Sequence, residues 1–441
     1  MCTRTNHLRL IAIVACFLFI FGCADIALAQ TSTYSSRGLR FLAGKAVRCQ
    51  LSTGVIRRTS LGRCWKLAGS WYGSWVRSSK FWARASKFGP WRGPQDLAGF
   101  SPPLNPAAKP SATQSVSPRP TPTVALAPAP PPVVNSAPDL PLAALYESNM
   151  LSFGRRHCEM LKSGSVDYDT KLAGTYYDAI LVYYGIYDHT GDSYWLSCVA
   201  AAKTIQRDSY VLGSNGAVPG YWNFTQGLAQ DYLRTGDAAS RRALLLLAQN
   251  AAFARDSTQE WETVDDLLCR ETAYSILAYL MAEDVGEPRR SRLSLLINHA
   301  LGHLDQWFVL RNADYVRPFM FSLTAYALLQ AYERTGDSRI LPALKRGADW
   351  IWTNTWIPAA EAFMYTDRWT SSGGQEATPD LNLLIAPVYA GLYYHTGEVR
   401  FLERADAIFA GGVKQAYLTG AKQFNQNYRL WADLKRWRGG K

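Results

Sequence analysis

The sequence predicts an all-α fold for residues 143–441: six helical hairpins whose six outer and six inner helices close into a ring. Three observations predict it. One turn recurs four times, in "YDHTGDSYWL" from Tyr187, "YLRTGDAASR" from Tyr232, "YERTGDSRIL" from Tyr332 and "YYHTGEVRFL" from Tyr393. Its glycines, with a degenerate copy "EDVGEPRR" at Gly286, are spaced 45, 50, 50 and 61 residues apart, the period of a hairpin repeat. Each turn also joins a Tyr-rich, largely apolar stretch to a more amphipathic one, as expected of a buried helix followed by a peripheral one.

Local chemistry explains the turn. Gly takes the left-handed conformation that ends one helix. The Asp or Glu after it caps or flanks the start of the next, where the helix dipole favours an anion. Outer helices are expected near 143–162, 193–208, 237–255, 287–306, 338–353 and 398–413. Inner helices are expected near 174–188, 221–234, 266–284, 317–334, 379–395 and 423–438. "YYDAILVYYGIY", "RPFMFSLTAYALLQAY" and "DLNLLIAPVYAGLYY" represent the inner kind, and "SRRALLLLAQNAAFAR" the outer.

Three segments precede this domain. Residues 1–29 read as a signal peptide: Arg4 and Arg9, an apolar run from Leu10 to Gly22, then Ala27-Leu28-Ala29 as the cleavage site. The expectation is an exported chain, periplasmic or secreted, with no transmembrane segment after cleavage. "IFGC" also resembles a lipobox, which would leave a lipidated Cys23, although Phe21 departs from that pattern. Residues 30–100 are basic and rich in Trp, with alternation in "WVRSSKFWARA" that suggests a small β module. Residues 101–142 hold 13 of the chain's 22 prolines within 102–141 and read as an extended linker, up to roughly 120 Å long.

Charge follows the same division. Residues 1–142 carry 17 Lys and Arg against 3 Asp and Glu, a balance of +14, whereas residues 143–441 carry 30 against 32. The excess of positive charge therefore precedes the helical domain. It suits a surface that holds an anionic polymer or cell-surface glycan. Nucleic acid is not expected as a partner of an exported chain. Cys49 and Cys64 are candidates for a disulfide, while Cys158, Cys198 and Cys269, in apolar helical surroundings, read as packed thiols. No Cys or His spacing suggests a metal, and no cofactor is expected.

With its hairpin count, period and turn chemistry, the region 143–441 resembles the (α/α)6 toroid, or barrel, of the six-hairpin glycosidase superfamily and the related polysaccharide lyases. The tandem Asp265-Asp266 is similar to the paired aspartates of one group of bacterial α-mannanases with that fold, though the flanking residues do not follow. The resemblance implies a sugar cleft at the inner-helix N-termini, where the connections are long and varied. A poly- or oligosaccharide substrate follows from it.

At that end the expected catalytic carboxyls are Asp178, Glu262, Asp265 and Asp266. Hydrolysis requires one carboxyl kept protonated and one ionised, and Asp178 among tyrosines has the apolar setting that raises a pKa. Substrate-binding candidates are Tyr177, Trp222, Asn223, Arg270, Arg317, Trp369, Asp380, Asn427, Tyr428 and Arg429. Aromatic rings stack on sugar faces, while Asn and Arg bind hydroxyls or carboxylates. The three arginines point to an acidic, uronate-containing glycan. Glycoside hydrolysis is the leading expectation. A lyase or uronate epimerase using Tyr428 as base, and a catalytically silent glycan-binding or scaffold toroid, are the alternatives.

Overall fold

The computed structural model describes residues 46–50, 56–60, 140–370 and 374–439. The chain divides into two units, Met1–Ala125 and Leu126–Lys441. In the first, strands β1 (Ala46–Gln50) and β2 (Ile56–Ser60) pair antiparallel, with Arg48 opposite Arg58. The signal peptide, the strands expected around residues 75–85, most of the linker and the Cys49–Cys64 pair lie outside the described residues.

The second unit is all-α apart from one two-stranded ribbon. Its helices are α1 (Ala143–Lys162), α2 (Tyr168–Gly174), α3 (Ala179–Thr190), α4 (Tyr194–Ala202), α5 (Gln226–Thr235), α6 (Ala238–Asn250) and α7 (Cys269–Asp284). There follow α8 (Arg292–Phe308), α9 (Pro318–Thr335), α10 (Ile340–Thr355), α11 (Asn382–Thr396), α12 (Val399–Gln415), α13 (Ala421–Tyr428) and α14 (Trp431–Arg438). The ribbon, β3 (Trp356–Ile357) with β4 (Ala362–Phe363), lies between α10 and α11.

The repeated turn is a fully bonded unit. Each Gly N–H donates to the carbonyl of the motif's Tyr, at 2.7–2.8 Å in all four copies. The glycines have φ of +66° to +72°, and Gly286 of the degenerate copy has +91°. The Thr does double duty. Thr190, Thr235, Thr335 and Thr396 each donate their hydroxyl back to the carbonyl four residues earlier. Each hydroxyl also accepts the N–H of the acid two residues on, at 3.2–3.3 Å. Asp192, Asp237 and Asp337 then accept the N–H two residues further, which starts the next helix.

The helices that end in these turns are buried around much of their circumference, α7, α9 and α11 most completely. They pack in sequence order: α3 on α5, α5 on α7, α7 on α9, α9 on α11, and α11 on α14. The order then returns, because α13 packs on α3. Long-range bonds fasten that return: Tyr146 donates to Asn427 O at 3.1 Å, and Tyr428 donates to Tyr146 O at 3.0 Å.

Several expectations need correction. Cys158 and Cys198 are joined in a disulfide between α1 and α4, whereas Cys269 is a buried thiol as expected. The first inner helix starts at Ala179, since Tyr177 and Asp178 both take positive φ (67° and 65°) and cannot continue α2. The second outer helix runs on as a π-helix, Lys203–Leu212. The fourth starts only at Arg292, past Gly286 and Pro288. The last inner helix is two helices, divided at Arg429-Leu430.

Candidate functional site

The connections leading into the buried helices touch one another in cyclic order. Tyr176 lies edge-on to Trp222 and Phe224, with ring centroids 4.8 and 5.0 Å away, which joins the first connection to the second. Ala252 N–H donates to Val218 O at 2.9 Å, joining the second to the third. Trp307 Nε1 donates to Asp266 at 2.9 Å and fixes the third to the end of α8, which feeds the fourth. Asp367 exchanges two bonds with the Val316 backbone, joining the fourth to the fifth. Gln426 donates to Asp380 O at 2.7 Å, and Asn425 donates to Gly174 O and Tyr176 O at 2.9 Å each. The last of these brings the chain's final connection back to its first.

Tyr176, Tyr177 and Asp178 lead into α3. Left-handed backbone at two successive non-glycine residues costs energy, and strain of this kind gathers at functional sites. Asp178 offsets part of it, because its Oδ1 accepts from Leu181 N at 3.3 Å and its Oδ2 from Gly227 N at 2.9 Å. The side chain is fully buried, and a Cβ at residue 227 would collide with it. Burial raises its pKa, as the sequence suggested, opposed by nearby Arg429 and the backbone donors. It is nevertheless sealed between α3 and α5.

Beside this corner Arg270 and Glu271 open α7. They form an ion pair at 2.8 Å in which Glu271 is almost wholly buried. The Arg270 guanidinium lies 5.2 Å above the ring of Tyr221, a residue 38% exposed. Tyr176, Tyr177 and Tyr274 all feel the Arg270 charge, and Tyr177 and Tyr274 that of Arg429 as well; burial dominates in raising each of their pKa values. Lys422, at the start of α13, places its ammonium 5.0 Å over the Tyr176 ring. Arg429 lies 5.3 Å from the rings of both Phe224 and Tyr274. From it a buried chain of bonds runs inward: Arg429 to Gln226 at 2.9 Å, Gln226 to Tyr326 at 2.7 Å, and Tyr326 to Asp433 at 2.6 Å.

The other expected residues are spread around this cluster. Asp265 caps the short helix before α7 by accepting from Leu267 N. Glu262 completes a capping box with Gln259. Trp222 packs edge-on to Tyr176 and Tyr210. Asn223 is buried, and its side-chain amide has no hydrogen-bond partner among the described residues. Arg317 lies over Tyr315 and Tyr365, 4.6 and 5.1 Å from the ring centres. Arg270 and Arg429 thus meet on shared tyrosines, while Arg317 has a pair of its own. Trp369 is 74% exposed. Burial raises the pKa of Asp380. Asn427 donates to Gln423 O within α13, and Tyr428 is buried with its hydroxyl committed to Tyr146. The tyrosine base expected for a lyase is therefore a structural tie.

Sequence reasoning missed Lys422 and the Gln226–Tyr326–Asp433 chain. Their signal was a polar residue on an otherwise apolar helix, or a lysine directly after a long connection. Among the described residues no group of three or more His, Cys, Asp or Glu is placed to hold a metal ion. No described helix is long and apolar enough to cross a membrane. Comparison with protein-family models, with curated proteins and with solved structures gives no match to this chain.

Proposed function

We propose that the unit Leu126–Lys441 is an (α/α)6 toroid and that the protein hydrolyses an acidic glycan at the end where the six connections meet. The packing order of α3, α5, α7, α9, α11 and α13–α14, with its return to α3, supports the toroid. One observation carries the glycan reading: at that end a cation lies over an exposed aromatic ring, Arg270 over Tyr221 at 5.2 Å. Rings of this kind take the apolar face of a sugar, and a guanidinium takes its carboxylate. The disulfide between α1 and α4 supports an exported chain, because such bonds persist in oxidising compartments.

For the chemistry, Glu271 replaces Asp178. Glu271 stands at the cluster with Arg270, whereas both oxygens of Asp178 are held by backbone N–H groups. Asp266 is the second buried carboxyl of this segment and completes the pair. The test is release of reducing ends from a panel of uronic and neutral polysaccharides, with absorbance near 235 nm recorded in parallel. Reducing ends without unsaturated products, lost in Glu271→Gln and Asp266→Asn while binding persists, are expected. Turnover unchanged in Glu271→Gln would overturn the assignment.

A second reading is a toroid that binds glycan without turnover. The observation favouring it is that Asp178, Asp265 and Glu262 all spend carboxylate oxygens on backbone N–H groups. Binding with no product from any polymer would establish it.

A further inference from the structure

We propose that Lys422 selects the ionised carboxylate of the bound glycan, reading it together with Arg270 beside the face of Tyr176. This rests on the glycan reading above and names the group that sets its charge preference. The platform comes first. Tyr176 is held edge-on by three rings, Tyr177, Trp222 and Phe224, with centroids 4.8, 4.8 and 5.0 Å away and interplanar angles of 84–87°. A ring with three others packed at near-right angles keeps its orientation, and Lys422 lies over it at 5.0 Å from the centroid.

The charges come second. Some lysines of this unit sit against carboxylates, as Lys203 does on Asp231 and Asp237 at 2.8 Å and Lys414 on Glu361 at 2.6 Å, whereas Lys435 lies over the Trp431 ring at 5.2 Å. Lys422 has no ion pair with a carboxylate among the described residues. Partial loss of hydration, and then repulsion from Arg270, lowers the pKa of Lys422, whose ammonium lies over the Tyr176 ring. The buried carboxylate of Glu271 is paired to Arg270. An anion supplied by a ligand offsets the repulsion, and a neutral sugar does not.

The chemistry comes third. A uronate residue has an apolar face that stacks on a ring and a carboxylate at its edge. A cation over one ring and a guanidinium over the next, Tyr221, suit that pairing of groups. Esterifying the carboxylate keeps the shape of the sugar and removes its charge, so ester and acid separate stacking from charge recognition.

The experiment is calorimetric titration of the full-length protein with tetrasaccharides of galacturonate, glucuronate and mannuronate, each as the acid and as its methyl ester. Wild type is expected to prefer at least one acid over its ester. In Lys422→Gln that preference should fall about 10–100-fold, the equivalent of a charged hydrogen bond, while affinity for the ester stays within about twofold. Lys422→Arg should restore most of it. Lys422 is exposed, so its variants are expected to keep the wild-type unfolding temperature. The N-terminal unit is unchanged among them, and any binding there cancels in the comparison. An undiminished preference for the acid in Lys422→Gln overturns the proposal and leaves the glycan reading standing. Equal wild-type binding of acid and ester does the same, whereas binding of neither overturns both.

Discussion

Asp178 shows how one side chain can satisfy the sequence argument for a catalyst and still be scaffold. Its tyrosine setting and raised pKa were legible, since three adjacent residues produce them. Its engagement by Gly227, 49 residues away, was not, because no local pattern says which glycine packs against it. In Asp178→Asn one of the two backbone donors loses its acceptor, so the variant should lose about 1–3 kcal/mol in urea denaturation. Wild-type stability would show that the carboxyl is not holding the α3–α5 corner. His303 makes a pH prediction. It is fully buried, and its Nε2 lies 2.9 Å from Thr263 O, so the neutral ring donates there. Burial leads in lowering its pKa, to about 4, against the opposing bond to Thr263 and with some help from His299. The unfolded chain takes up a proton near pH 6.5 and the folded chain only near 4, so stability should fall as pH drops through that window. The loss should reach about 3 kcal/mol and be absent in His303→Gln, as read from chemical denaturation at successive pH values. A parallel slope in the variant would contradict the assignment.

Among the elements, turns were the most legible because their hydrogen-bond motif, Tyr-x-x-Thr-Gly-acid, is six consecutive residues and therefore local. Gly at positive φ and the capping acid could be read from the sequence. The double bond of the Thr hydroxyl could not, yet it explains why Thr is repeated with Gly. Helix starts were less legible where backbone strain or Pro delayed them, as at Ala179 and Arg292. The cysteines illustrate a different limit. An apolar helical face around Cys158 or Cys198 looks the same for a thiol as for a half-cystine. Only the adjacency of α1 and α4 distinguishes them. That disulfide closes a 40-residue separation, for which the loop-entropy relation gives about 4 kcal/mol. Reduction, or Cys158→Ala with Cys198→Ala, should therefore lower the guanidinium unfolding midpoint clearly. An unchanged midpoint would mean that the reduced chain keeps the two helices together without it.

At the scale of the whole molecule, the all-α class was readable because it depends on helical periodicity, whereas the site was only partly so. The long-loop end holds Tyr176, Tyr177, Trp222, Arg270 and Arg429 in one cluster, as their positions before or within buried helices implied. Two of the expected acids cap helices there, because an acid before a helix is as well used by capping as by chemistry. Asp265 and Glu262 took that course. Charge at this scale also matters: residues 143–441 are nearly balanced, so attraction for an acidic polymer at the site must come from placed cations and not from net charge. The central claim is that an acidic glycan binds where the six connections meet. The most direct measurement is a crystal structure of the full-length protein with a bound oligouronate. The account predicts a sugar ring against exposed Tyr221 with its carboxylate on Arg270. A ligand seated only at the Gly191–Gly236–Gly336–Gly397 turns, or only on the N-terminal unit, would contradict it.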